Sequence, residues 1–136
     1  MRFEELTLGL AAEHAKTVTE SDVVLFAGIT GDFNPLHVDQ VSAERTRFGG
    51  RVAHGMLTGS LISTVIGMKL PGRGAIYLSQ SLRFTRPVKI GDTITARAEV
   101  VELITAKRRV RLATTCHNQR GETVVEGEAV VLVDED

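Results

Sequence analysis

The sequence predicts an α+β domain in which one antiparallel sheet curls around a single buried helix. Three observations predict it. The stretch Gly55–Met68 carries no Asp, Glu, Lys or Arg and is apolar or small on nearly every side, and a helix without a polar face belongs inside a domain. From Ala75 onward the period drops to two. Ile76, Leu78, Leu82 and Phe84 alternate with Tyr77, Ser79, Ser81 and Arg83, and Ile94, Ala96, Ala98 and Val100 alternate with Thr93, Thr95, Arg97 and Glu99, the pattern of strands with one face inward. Short turn signals separate these segments, at Pro87, Gly91-Asp92, Asn118 and Gly121, and short links make neighbouring strands antiparallel. Such a sheet and one uncharged helix cover each other.

The elements follow in order. Residues 11–18 read as a first strand. Thr19-Glu20-Ser21-Asp22 has the side-chain oxygens and first-turn acids of a helix start, and the helix is expected to reach about Thr30, with Val23, Val24, Phe26 and Ala27 on its inner side. Gly31 suits the left-handed residue that ends a helix, which leaves Asp32 on a loop that Asn34-Pro35 keeps out of regular helix. A short polar helix is expected over 40–47, closed by Gly49-Gly50. The central helix, about fourteen residues at 1.5 Å each, is ~20 Å long, and Gly59, Ser60, Ser63 and Gly67 let backbone or ligand approach it. Pro71-Gly72-Arg73-Gly74 links helix to sheet; with no Lys-Ser/Thr after it and a strand next, it is not a phosphate loop. Val110, Leu112, Thr114 and Cys116 continue the inward phase against Arg109 and Arg111. The last strand, from about Thr123 to Val133, ends apolar on both faces and suits an interior position.

The chain has 136 residues, the size of one domain able to bury its own core, and a single domain over 1–136 is expected. A net charge of -1 leaves no basic face for nucleic acid. One cysteine, Cys116, permits no intrachain disulfide and points to a reducing, cytoplasmic setting; its inward phase makes it core rather than nucleophile. The acidic start Met1-Arg2-Phe3-Glu4-Glu5 has no signal-peptide character. The uncharged run 52–68 is interrupted by Gly, Ser and Thr and falls short of the ~20 apolar residues of a spanning helix, so no membrane is expected.

Chemistry concentrates in two places. Gly31-Asp32-Phe33-Asn34-Pro35-Leu36-His37 sets a carboxylate and an imidazole five positions apart, an acid/base pair on a shaped loop. His54-Gly55-Met56-Leu57 opens the central helix, whose first N–H groups lack intrahelical acceptors and suit negative charge on a carbonyl oxygen. Taken singly, Asp32 reads as a turn residue and His37 as a satisfied loop histidine; only their joint pattern with the helix start reverses that. His54 reads as structural, a hydrogen bond shaping the turn before Gly55.

These motifs and the order of elements resemble the (R)-specific enoyl-CoA hydratases, or MaoC-like dehydratases, of the hot-dog fold. The resemblance covers most of the chain and rests on residues 27–37, on Val52-Ala53-His54-Gly55-Met56-Leu57, and on residues 76–84 with Pro87-Val88-Lys89-Ile90-Gly91-Asp92. It implies a homodimer joined edge to edge in one sheet, with an acyl tunnel beside each central helix. It implies a hydro-lyase adding water reversibly to a trans-2-enoyl-CoA to give an (R)-3-hydroxyacyl-CoA. Asp32 and His37 fall on the family's catalytic pair, and the Gly55 N–H on its oxyanion donor. Ser63 falls on a serine near the active site, and Ile66 on a position lining the acyl pocket.

Asp32 is taken as the activator of water and His37 as its partner, with the reverse division open. No cofactor is implied, because the thioester carbonyl is the electron sink. Lys69, Arg73, Arg83, Arg86 and Lys89 are candidates for the CoA phosphates, whereas Arg97, Arg109 and Arg111 read as a solvated face. The nearest rival is a hot-dog acyl-CoA thioesterase, disfavoured by the lack of an acid on the central helix. A metal centre from Asp32, His37, Asp39 and His54 has an untypical ligand spacing, and a non-catalytic acyl-binding module leaves the Asp/His pair without a role.

Overall fold

A computed structural model describes residues 1–134. Strand β1 (Ala11–Thr17) leads into α1 (Glu20–Thr30), followed by two short helices, α2 (Pro35–Val38) and α3 (Gln40–Glu44), and by the long helix α4 (Gly55–Met68). Five strands complete the chain: β2 (Ala75–Gln80), β3 (Arg83–Phe84), β4 (Thr93–Ile104), β5 (Arg109–His117) and β6 (Thr123–Val133). The sheet runs β1-β4-β5-β6-β2 with β3 also on β6, and every pairing is antiparallel. The expected order and boundaries of the long elements hold, and β6 lies inside the sheet between β5 and β2.

Register explains the core. In β4 the inward phase buries Ile94, Ala96, Ala98 and Val100, and in β5 it buries Val110, Leu112, Thr114 and Cys116. Against this surface α4 lays Leu61, Ile62, Val65 and Ile66. The small side chains of Ala96 and Ala98 let the helix sit close. Outward residues pair in turn: Arg97 meets Glu13 and Glu99, and Arg111 meets Glu102 and Glu128.

Four details differ from the sequence reading. Helix α4 is not covered all round: Gly55, Met56, Ser60, Ser63, Gly67 and Met68 are exposed, so an uncharged face remains open on the chain by itself. In α1 only Val23 and Ala27 are buried, Phe26 is half-buried, and Val24 is 51% exposed. Residues 35–38 form a turn of helix rather than irregular loop, because Pro35 fits a helix's first position and Asn34 caps it through Leu36 N–H. The polar helix expected over 40–47 is confined to α3.

Candidate active site

Each part of the site is placed by local chemistry. Thr19 and Asp22 exchange hydrogen bonds in a capping box that starts α1, and Gly31 ends it at φ 82°. Asp32 follows at once. Its N–H donates to Thr30 Oγ1, and its Oδ1 accepts the Asn34 N–H, an Asx turn that folds the loop back. One helical turn later His37 sits on α2 with its Nδ1 2.7 Å from the Val52 carbonyl oxygen. A carbonyl only accepts, so Nδ1 carries the hydrogen and Nε2 is the nitrogen left for chemistry. Val52 is fixed in turn by a bridge to Lys89 and by its N–H on the Leu36 carbonyl.

Asp32, His37 and His54 each offer a ligand atom, and these lie within 4.8 Å of one another. Two ~2.8 Å hydrogen bonds at a tetrahedral angle span ~4.6 Å, so this limit has room for one water between carboxylate and imidazole. His37 and Gly55 line a cavity of ≈ 500 Å³ walled by Phe48, Phe84, Val88 and Val125. That is the size of a small-molecule cleft. Asp32 is exposed beside His37 and does not line that cavity. Gly55 opens α4 with no side-chain cap from His54, and among the described residues its N–H has no acceptor. A Cβ there would come within 2.8 Å of the Phe84 ring, so only glycine lets that ring pack against the start of α4.

The structure does not bring every expected residue to this point. Ser63 is exposed about 12 Å along α4 from Gly55 and Ile66 about 16 Å; Ile66 is 1% exposed in the core, and neither lines the cavity. Of the basic candidates, Arg86 lines it, paired with Glu122. Lys69 instead reaches the Glu13 carbonyl, and Arg83 lines a separate hollow over β5 and β6. Sequence reasoning missed Arg47, which lines the cavity and lies over the Phe48 ring; nothing in its surroundings along the chain marks it. Cys116 is fully buried, its thiol pushed up to about 12 by burial, and it takes no part.

The Asp32, His37 and His54 cluster is poorly arranged for a metal ion. The two imidazoles stack face to face, 3.9 Å between centroids and 28° between planes, whereas ligand lone pairs must converge in the ring planes on one ion. Asp39, the fourth candidate, spends its carboxylate capping α3 through Ser42.

Comparison with known proteins agrees with this architecture. A profile described as MaoC like domain matches residues 6–124. The chain belongs to the MaoC-like dehydratase family. Among its relatives, this MaoC-like dehydratase is 52% identical over 131 residues to a 3-hydroxybutyryl-CoA dehydratase of Methylorubrum extorquens, covering 96% of this chain and 83% of that protein. It is 50% identical over 131 residues to an (R)-specific enoyl-CoA hydratase of Rhodospirillum rubrum, covering 96% and 90%. The unliganded R-hydratase of Pseudomonas aeruginosa superposes with a TM-score of 0.94 at 49% identity, covering 99% of this chain and 86% of that one. The MaoC-like chain therefore has the hot-dog fold, its sheet wrapped on α4 as the wrapping helix of that fold.

Proposed function

We propose that the protein is an (R)-specific enoyl-CoA hydratase, a hydro-lyase that adds water reversibly to a trans-2-enoyl-CoA and yields the (R)-3-hydroxyacyl-CoA. One observation carries the reading: the Asp32 carboxylate lies beside His37, and His37 shares a cavity with the start of α4, where the Gly55 N–H has no acceptor among the described residues. The names of the relatives support it.

Hydration of an enoyl thioester needs a base for water, an acid for the α-carbon and donors for the thioester oxygen. Asp32 and His37 hold the water between them. Asp32 accepts its proton as oxygen attacks C3, while His37 orients it through Nε2. The electron pair moves to the thioester oxygen, where the Gly55 N–H at the positive end of α4 receives the charge. Collapse of the enolate takes a proton at C2 from the pair, which is then ready for another turn. The thioester itself is the electron sink, so no cofactor enters. The acyl chain follows α4 toward the exposed Ser63, with Ile66 three residues on and beneath it in the core.

The same reading makes the protein a homodimer. Strand β2 ends the sheet, and its Ile76, Tyr77 and Leu78 are 43%, 38% and 44% exposed; an open apolar edge is where a second sheet continues. Among the described residues no helix is long and apolar enough to cross a membrane, and a cytoplasmic site accords with one unpaired thiol.

Purified protein given crotonyl-CoA should yield 3-hydroxybutyryl-CoA that only an (R)-specific dehydrogenase oxidises. Release of free thiol from saturated butyryl-CoA, without hydration, would instead make it a thioesterase, although α4 carries no carboxylate for that chemistry.

A further inference from the structure

His54 is spent in a way that neither packing nor helix capping accounts for. The residue stands immediately before Gly55 as the cap position of α4, yet its side chain makes no cap bond. It is 2% exposed. Its Nε2 lies 2.9 Å from the Asp32 carbonyl oxygen and therefore donates to it. Its Nδ1 is buried with no partner among the described residues, which costs stability that an apolar ring of the same shape would not lose. One face stacks on His37 and Phe26 packs against the ring at 4.9 Å between centroids and 56° between planes. An imidazole kept at that cost implies that its one donated hydrogen bond matters.

We propose that His54 is a positioning residue of the reaction, tying the Asp32 backbone and the plane of the His37 ring to the start of α4. The inference rests on the reading of Asp32 and His37 as the proton-moving pair. It adds what holds that pair in register with the oxyanion donor, twenty-three positions further along the chain from Asp32. Asp32 is exposed, on a loop whose other bonds are local, to Thr30 and Asn34. His54 Nε2 supplies its bond to a distant element. His37 is held in its plane by the Val52 carbonyl at Nδ1 and on its face by His54. Since Gly55 is the next residue, a shift of His54 moves the thioester oxygen site with it. Acid, base and oxyanion donor are thus referred to one side chain, and a misplacement of ~1 Å among such groups costs about 10²-fold in rate.

Separate substitutions divide donor from ring. His54→Phe keeps the stacking face and loses the N–H. His54→Gln keeps an N–H at the reach of Nε2 and loses the ring, while His54→Asn is too short to reach. With crotonyl-CoA, His54→Phe should lower kcat by about 10- to 100-fold with KM within about threefold, and His54→Gln should retain more kcat than His54→Asn. In an Asp32→Asn background His54→Phe should cost less than about twofold, because the group it positions is already disabled. A wild-type kcat in His54→Phe, a full additive loss in the Asp32→Asn background, or equal kcat in the Gln and Asn variants would overturn the proposal. Should His54→Phe not fold, the Gln and Asn pair decides alone. Full turnover in Asp32→Asn or His37→Ala would instead remove the proton-moving pair, an outcome distinct from inactive pair variants beside a fully active His54→Phe.

Discussion

His37 shows how much one backbone acceptor settles. Its sequence position makes it a candidate base, but the Val52 carbonyl selects which nitrogen keeps the hydrogen and turns the other outward. Asp32→Asn and His37→Ala are each expected to lower kcat on crotonyl-CoA by on the order of 10²- to 10⁴-fold with the thermal transition little changed. Near-normal turnover in either would free that residue from the mechanism. Ile66 is the opposite kind of residue, packed among Ile62, Val65 and the sheet at 1% exposure. Ile66→Phe should destabilise the fold by about 1–3 kcal/mol through overpacking, read as a lowered urea midpoint, and should also reduce activity on long enoyl chains more than on crotonyl-CoA. An unchanged chain-length profile would take Ile66 off the acyl path.

At the scale of elements, α1 matters because it delivers Asp32. Burial works to raise the Asp22 carboxyl, but the Thr19 N–H and the Lys16 ammonium outweigh it and bring it below the ordinary value. A carboxyl lowered in the folded state stabilises above its unfolded value of ~3.9, and this stability is lost as the pH falls through the folded value. Asp22→Asn should therefore be less stable than the parent near neutrality and lose less between about pH 5 and pH 3, as followed by urea midpoints. Equal slopes for the two proteins would show that this box does not carry acid sensitivity. Helix α4 has no such box. Its N-terminus is left without side-chain satisfaction, which is useful only where something else brings the acceptor.

For the whole molecule, the open features lie on β2, the uncharged outer side of α4, and the end of α1 with the loop after it, where Ile29 is 82% and Phe33 58% exposed. In the homodimer proposed above, a second copy covers this apolar surface. Leu78→Lys places a charge on the free edge and is expected to shift sedimentation toward the monomer, with loss of hydratase activity if the partner completes the acyl path. A variant that sediments as the parent does would place the contact away from β2. Ile76, Leu78 and Phe84 alternate like core residues but are exposed, the first two on the edge strand β2 and Phe84 in the wall of the cavity. An apolar edge strand has the same pattern as a buried one.

The fold was legible because its two periods are local properties: Gly55–Met68 carries no charged side chain, and β5 and most of β4 alternate. The turn residues fixed where segments end, and Asp32, His37 and Gly55 stood out through residue type and spacing. Distances between segments are not written in any local pattern. That His54 reaches back to the Asp32 carbonyl, that its ring stacks on His37, that Arg47 rather than Lys69 borders the cavity, and that Ile66 sits within the core all depend on how separate elements pack. Hydrophobic periodicity says which face goes inward, whereas which side chains then meet is decided only when the chain closes on itself.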